Sequence, residues 1–187
     1  MADEFINILD EHGKLTGEIK LKSEAHRLGL YHSSVHIWFY TNNGDILIQK
    51  RADFKDTFPN LWDVSVAGHI SAGETPEYSA IREISEEIGL TVNRDHINFI
   101  GVYLEQTHPR ENIMDNEFHY IYLAELQTPV NELTIQEEEV AAIKMISLET
   151  LKSDISDPSK SKCYVPHEEK YFKFVFSEIE KLLELTS

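Results

Sequence analysis

Apolar runs of strand length recur along the chain, and only two longer segments repeat their apolar residues at helical spacing. Residues 5–9, the polar Asp10, Glu11, His12 and Gly13, and a further apolar–polar segment predict an N-terminal hairpin within about residues 1–30. Residues 35–40 form a β-branched and aromatic run. Asn42, Asn43, Gly44 and Asp45 supply turn chemistry that links it to residues 46–51 in a second hairpin. Residues 62–67 alternate again, residues 102–105 and 118–126 read as strands, and 140–146 carries a fainter strand pattern. Residues 107–116, with Pro109, read as a longer loop of the kind that selects ligands on a rigid frame. The first helix is expected at residues 76–88, with Thr75 as N-cap, Pro76 at the first position and Gly89 as the stop. The second is expected at about residues 168–185, where Phe172, Val175, Phe176, Ile179, Leu182 and Leu183 recur at helical spacing. Many strands with helices between and after them predict an α/β sandwich around a mixed sheet.

Length fits this picture: 187 residues make one compact domain, read here as 1–187, and no repeat or linker divides it. Charge narrows the function. Seventeen Lys and Arg against 33 Asp and Glu give a net charge of −16, which repels nucleic-acid backbones and anionic membranes. A small anionic substrate stays compatible if a metal ion and a few local bases reverse the field inside one cleft. No apolar run reaches bilayer length. The start, Met1, Ala2, Asp3 and Glu4, carries acids where a signal peptide carries bases. The single cysteine, Cys163, cannot form an internal disulfide, in keeping with a reducing cytoplasm, where the chain is expected to act.

The first predicted helix is the informative one. At about 100° per residue, Tyr78, Ile81, Ile84 and Ile88 gather on one side, expected to face the core, and Glu83, Glu86 and Glu87 gather nearly opposite. Like charges at this spacing destabilise a helix by a few tenths of a kcal/mol, a cost that a bound divalent cation removes. A glutamate pair on an exposed helix is ordinarily solvated surface. The neighbourhood overturns that reading, because from Gly68 the chain runs Gly-x5-Glu74-x7-Arg82-Glu83-Ile84-x-Glu86-Glu87-x-Gly89-Leu90.

This string is the complete Nudix signature, and through it the chain resembles the Nudix, or MutT-like, hydrolase superfamily. The resemblance implies a Nudix-fold α/β/α sandwich and cleavage of a diphosphate linkage with magnesium, manganese being its substitute. It implies that Glu83, Glu86 and Glu87 bind metal, that the Gly68 carbonyl is a further ligand, and that Arg82 orients the acids through Glu74 or Glu86. The cation would neutralise the diphosphate, lower the pKa of a water and align it for in-line attack on phosphorus. The general base stays open among the box glutamates, Glu117 and the Glu137, Glu138, Glu139 run.

From about residue 30 to 148 the chain also resembles the Nudix branch that includes isopentenyl-diphosphate isomerase. The shared residues are Arg51, Ala52, Lys55, Pro59, Trp62, Ser65, Val66, Gly68, His69, Asn116 and Glu117. That resemblance implies a second divalent metal site, for which His32, His69, Asp115 and Glu117 fall on matching positions. His26 lies one residue out of the isomerase spacing. It also implies that Arg51 and Lys55 contact the diphosphate, arginine as a planar fork and lysine as a point charge. His36 and His119 read as structural, and Phe58 and Trp62 read as core or as walls for an apolar tail or a base.

Two departures argue against isomerisation: Ala67 occupies the place of the isomerase's catalytic cysteine, and Glu83 and Glu86 are both present where the isomerase's box is degenerate. The expectation is therefore a hydrolase of a small diphosphate, a nucleoside diphosphate derivative or an isoprenyl diphosphate, acting as monomer or homodimer without nucleic acid or membrane. The alternatives are an isomerase-like enzyme and a non-catalytic Nudix ligand-binding module.

Overall fold

The computed structural model describes residues 3–186. Met1, Ala2 and Ser187, the ends of the expected 1–187 span and part of its acidic start, lie outside the described residues. In chain order the strands and α-helices are β1 (Phe5–Leu9), β2 (Leu15–Leu21), α1 (Lys22–Leu28), β3 (Tyr31–Tyr40), β4 (Asp45–Arg51), β5 (Trp62–Asp63) and β6 (Val66–His69). There follow α2 (Pro76–Ile88), β7 (Asn98–Arg110), β8 (Ile113–Glu125), β9 (Val140–Ser147), α3 (Leu148–Ser156) and α4 (Glu169–Thr186).

The strands make a mixed sheet with β3 at its centre. β3 runs parallel to β8 from Tyr31↔Asn116 to Tyr40↔Glu125 and antiparallel to β6 from Ser34↔His69 to Ile37↔Val66. The expected β1–β2 hairpin forms, and β1 joins β3 at Leu9↔Tyr31. The second expected hairpin forms at its turn, where Thr41 N–H donates to Asp45 O at 2.8 Å and Gly44 takes the positive φ that its turn needs, at 81°. Beyond Tyr40↔Ile46 its strands part, β3 pairing with β8 and β6 while β4 pairs with β9 and β5.

Alternation along β3 builds the two cores. Val35, Ile37 and Phe39, with Leu47, Tyr122 and Ala124, pack under Ala80, Ile84 and Ile88 of α2. On the other face Trp38, with Ile46, Ile48, Ile121 and Leu123, packs under Leu148 and Leu151 of α3 and Tyr171, Phe172, Val175, Phe176 and Ile179 of α4. The result is an α/β/α sandwich. Each fully buried large apolar side chain contributes roughly 1.5–3 kcal/mol.

The helix α2 has the predicted ends: the Thr75 hydroxyl accepts from Tyr78 N–H at 3.3 Å and Gly89 closes the helix at φ 66°. Its faces differ from the expected ones. Tyr78, expected in the core, is 61% exposed, because it sits in the first turn beyond the sheet. The helix packs against both β3 and β6, so its buried arc is wider than its apolar stripe and takes in Glu83 and Glu87.

The expected loop at 107–116 is instead the end of a long hairpin. β7 continues to Arg110 and β8 begins at Ile113, leaving Glu111 and Asn112 as the turn. Polar side chains disguise this pairing, in which Gln106 faces Asn116 and Thr107 faces Asp115. Pro109 falls where the register slips between Thr107 and Arg110, so its missing N–H interrupts no regular ladder. Two short helices had no clear sequence signal. α1 ends on Gly29 at φ 63°, and α3 is capped by Ser147, whose hydroxyl accepts from Thr150 N–H at 3.1 Å. No helix among the described residues is long and apolar enough to cross a membrane.

Candidate active site

The acidic flank of α2 forms part of a cleft of about 730 Å³ that reaches from Glu86 to His167. Arg82 ties its acids together. Its Nε and Nη2 donate to Glu74, at 3.2 and 3.0 Å, while Nη1 donates to Glu83 at 2.7 Å and to Glu86 at 2.9 Å. Nη2 also donates to the His69 carbonyl at 3.2 Å, which pins the helix to the end of β6. Four acceptors around one guanidinium hold its proton more firmly than usual, against the opposing pull of burial.

Burial raises the Glu83 carboxyl above its ordinary range even though Arg82 opposes the shift. It pushes Glu87 up to about 8, against the attraction of Lys55. Glu87 Oε2 accepts from Gln49 Nε2 at 3.1 Å and from Ala67 N–H at 3.2 Å, so the carboxylate is aimed by two strands. A Cβ on Gly68 would lie 2.1 Å from Glu83 Cδ. Glycine is therefore what lets this carboxylate reach the backbone of β6, beside the Gly68 carbonyl. Acids buried this deeply and held this close favour a hard cation with oxygen ligands, and the residues present fit magnesium.

A second constellation gathers around the His69 side chain, at the same end of β6. His26, His32 and His69 bring ring nitrogens within 4.8 Å of one another, as do the ligand atoms of His32, Asp115 and Glu117. Glu117 Oε1 is 3.3 Å from His32 Nε2 and 3.1 Å from His69 Nε2, and Asp115 Oδ1 is 3.4 Å from His32 Nε2. His69 Nε2 and Asp115 Oδ1 are buried with no well-aligned hydrogen bond despite these short separations. The outer nitrogens are fixed: His32 Nδ1 faces the Leu30 carbonyl at 3.0 Å and His69 Nδ1 faces Glu4 at 3.2 Å. Inner atoms without partners and outer atoms held in place are how histidines are arranged around a transition metal. Burial, with His69 and His32 nearby, pulls His26 down to about 3, which keeps it neutral as a ligand must be. Burial also opposes the charge on His69, but Glu117 and Glu4 outweigh it and hold His69 up at about 9.

The one-residue offset of His26 is absorbed by α1, whose helical turn and left-handed Gly29 bring His26 Nε2 to 3.3 Å from His32 Nε2. Neither the helix nor the role of Glu4 had a sequence signal. Arg51 and Lys55 also reach the cleft, each already engaged. Arg51 donates to Asp63 Oδ2 at 2.9 Å and to the carbonyl and hydroxyl of Thr57, and Lys55 pairs with Glu139. Glu137 and Glu138 are exposed outside the cleft, while Glu139 lines it. Phe58 lines the cleft at φ 47°, and Trp62 packs on the core under α3 and α4 with the Lys144 ammonium 4.1 Å from its ring centre.

His36 and His119 are buried. His36 Nδ1 meets the Tyr171 hydroxyl at 2.7 Å and stacks on His119 with ring centres 3.9 Å apart. Beside them lies an unexpected group: His167 bridges Glu105 Oε2 at 2.6 Å and Asp63 Oδ1 at 3.1 Å. Glu105, Asp63 and His167 stand outside any motif, and only the fold brings them together.

Residues 30–166 match the family model for the NUDIX domain. The chain is 38% identical over 174 residues to Nudix hydrolase 3 of Arabidopsis thaliana, covering 90% of this chain but 22% of that protein. It is 37% identical over 154 residues to an uncharacterised Nudix hydrolase of Clostridium acetobutylicum, covering 81% of this chain and 73% of the relative. Isopentenyl-diphosphate Delta-isomerase 2 of Photorhabdus laumondii is 26% identical over 155 residues, covering 83% of this chain and 84% of the isomerase. Among solved structures, a Deinococcus radiodurans protein superposes with a TM-score of 0.63 at 21% identity, covering 87% of this chain and 100% of the other. The MutT protein of Methanosarcina mazei does so with a TM-score of 0.58 at 17% identity, covering 81% and 96%. These superpositions support the fold, and the sequence matches give the family. The chain belongs to the Nudix family of pyrophosphate hydrolases, in the branch that also holds isopentenyl-diphosphate isomerase-like relatives.

Proposed function

We propose that this chain is a magnesium-dependent hydrolase that cleaves the diphosphate linkage of a small soluble metabolite, a nucleoside diphosphate derivative or an isoprenyl diphosphate. The observation that carries this reading is the placement of Glu83, Glu86 and Glu87 along one cleft that also receives Arg51 and Lys55. The three glutamates and the Gly68 carbonyl would hold magnesium, or manganese in its place, and His26, His32, His69, Asp115 and Glu117 would hold a second divalent ion. Bound there, such ions neutralise the diphosphate and lower the pKa of water for attack on phosphorus.

The chain's own residues do the rest. Arg82 is a positioning residue that ties Glu74, Glu83 and Glu86 to one guanidinium. Arg51 and Lys55 receive the diphosphate by exchanging part of their ties to Thr57 and Glu139 for phosphate oxygens. Glu139, which leaves its lysine in that exchange, is an acid outside the signature and outside the proposed metal sets that lines the cleft and can take a proton there.

The names of the isomerase relatives make isopentenyl diphosphate the first isoprenyl compound to try. Isomerisation itself needs a group that moves a proton on an alkene, and Ala67 presents a methyl there. Phosphorus NMR of reactions with magnesium separates the readings. Hydrolysis yields a monophosphate and inorganic phosphate from an isoprenyl diphosphate, or two monophosphates from a nucleoside diphosphate derivative. A shifted double bond with no phosphate released would establish the isomerase instead, and tight binding with no turnover would establish a ligand-binding module.

A further inference from the structure

Glu105, His119 and His167 lie deep in the cleft, away from the glutamates of α2, and none has a part in the hydrolysis described above. Each offers one ligand atom, and the three atoms lie within 4.8 Å of one another. His167 Nδ1 and His119 Nε2 approach the same oxygen, Glu105 Oε2, at 2.6 and 3.4 Å. We propose that Glu105, His119 and His167 form a further transition-metal site, a two-histidine, one-carboxylate set selective for zinc.

The outward-facing atoms carry the argument. His167 Nε2 is held by Asp63 Oδ1 at 3.1 Å, and Asp63 is itself fixed by Arg51 Nη1 at 2.9 Å and by its neighbour's Val64 N–H at 2.8 Å. His119 Nδ1 is held by the Ser34 hydroxyl at 2.7 Å. The remaining Glu105 oxygen, Oε1, accepts from Glu168 N–H at 2.9 Å. Every polar atom that faces away from the shared centre therefore has a partner that fixes its tautomer or rotamer, with a carboxylate behind one histidine and a hydroxyl behind the other. A mere ion-pair relay would need only the Glu105–His167–Asp63 line. It would not need His119 turned with Nε2 toward the same oxygen and Nδ1 locked behind it.

Ligand chemistry then selects the ion. Two imidazoles and a carboxylate match zinc, whereas the all-oxygen set on α2 matches magnesium. Glu105 and His119 are at most 5% exposed, yet all three residues line the cleft, so three protein ligands would leave a fourth position facing the substrate space. Glu117 stands between this group and the other histidines, with Oε1 toward His32 and His69 and Oε2 3.7 Å from His119 Nδ1. The proposed zinc would thus lie next to the metal constellation at the end of β6 and remain distinct from it.

The inference is independent of the hydrolase reading, because its test counts bound metal. The full chain is dialysed against zinc with magnesium in excess, and bound zinc is counted for the wild type and for H119Q/H167Q, which keeps polar side chains at both positions. The proposal predicts that the variant holds one equivalent fewer, whatever the wild-type total. A folded variant with the wild-type count would overturn it. Should the variant fail to fold, zinc-edge anomalous diffraction from wild-type crystals decides: a peak among Glu105, His119 and His167 is expected, and its absence at saturating zinc overturns the proposal.

Discussion

At the scale of single residues, the site is a set of acids kept where acids are costly. Glu87 is 2% exposed, is tied to Gln49 and Ala67, and has its carboxyl pushed up to about 8 by burial. In the unfolded chain it titrates at the ordinary glutamate value of 4.5. With the folded value raised, its contribution to stability is fully present below the unfolded value and is lost as pH rises through the folded one. Metal-free protein should therefore melt at progressively lower temperature as pH climbs from about 4.5 to about 8, and level off above that. Magnesium should flatten that trend, since a cation replaces the proton. Melting curves in chelator across this range test it, with Glu87→Gln as reference. An equally steep decline in the variant would show that Glu87 is not the source. Its spacing from Glu83 and Glu86 within the signature was legible in the sequence. Its burial was not, because a helical wheel assumes one buried face, and α2 is covered by both β3 and β6.

Elements show a sharper division between what the chain discloses and what it hides. Capped, periodic segments were legible: α2 has the expected ends, and α4 is shifted by one residue from the expected 168–185. Turn chemistry at residues 42–45 predicted the link between β3 and β4. The pairing partners were hidden, since β3 meets β8 across 85 residues of sequence, and nothing local encodes a parallel neighbour. The same holds for the second histidine group, whose members come from β7, β8 and the segment before α4. A specific lock joins that last helix to the centre of the sheet. Trp38 Nε1 donates to the Tyr171 hydroxyl at 3.0 Å, and that hydroxyl meets His36 Nδ1 at 2.7 Å. Tyr171→Phe removes the shared oxygen and leaves two buried groups without partners, a cost of about 2 kcal/mol. For a chain of this size the melting temperature should fall by about 4–8 °C. A change under about 1 °C would mean that water or a rotamer shift replaces the bonds.

Taken as a whole, the molecule gathers acids and histidines that could hold cations inside an acidic chain of net charge −16. On the proposed reading, that charge repels a diphosphate, and bound cations beside Arg51, Lys55 and Arg82 reverse the local field. The signature on α2 disclosed half of this arrangement, because its ligands lie within 20 residues of one another. The histidine constellation was partly disclosed: His32, His69, Asp115 and Glu117 were placed by resemblance. His26 and Glu4 joined them only through the turn of α1 and the β1 edge. The central claim is that the signature glutamates of α2 are the seat of a cation-dependent reaction. The most direct measurement is magnesium-dependent release of phosphate or monophosphate by Glu86→Gln and Glu87→Gln, with each variant's fold checked by circular dichroism. Turnover is expected to drop by about 100-fold or more in both variants while the fold persists. Full activity in both would contradict the account and move the reaction centre away from α2.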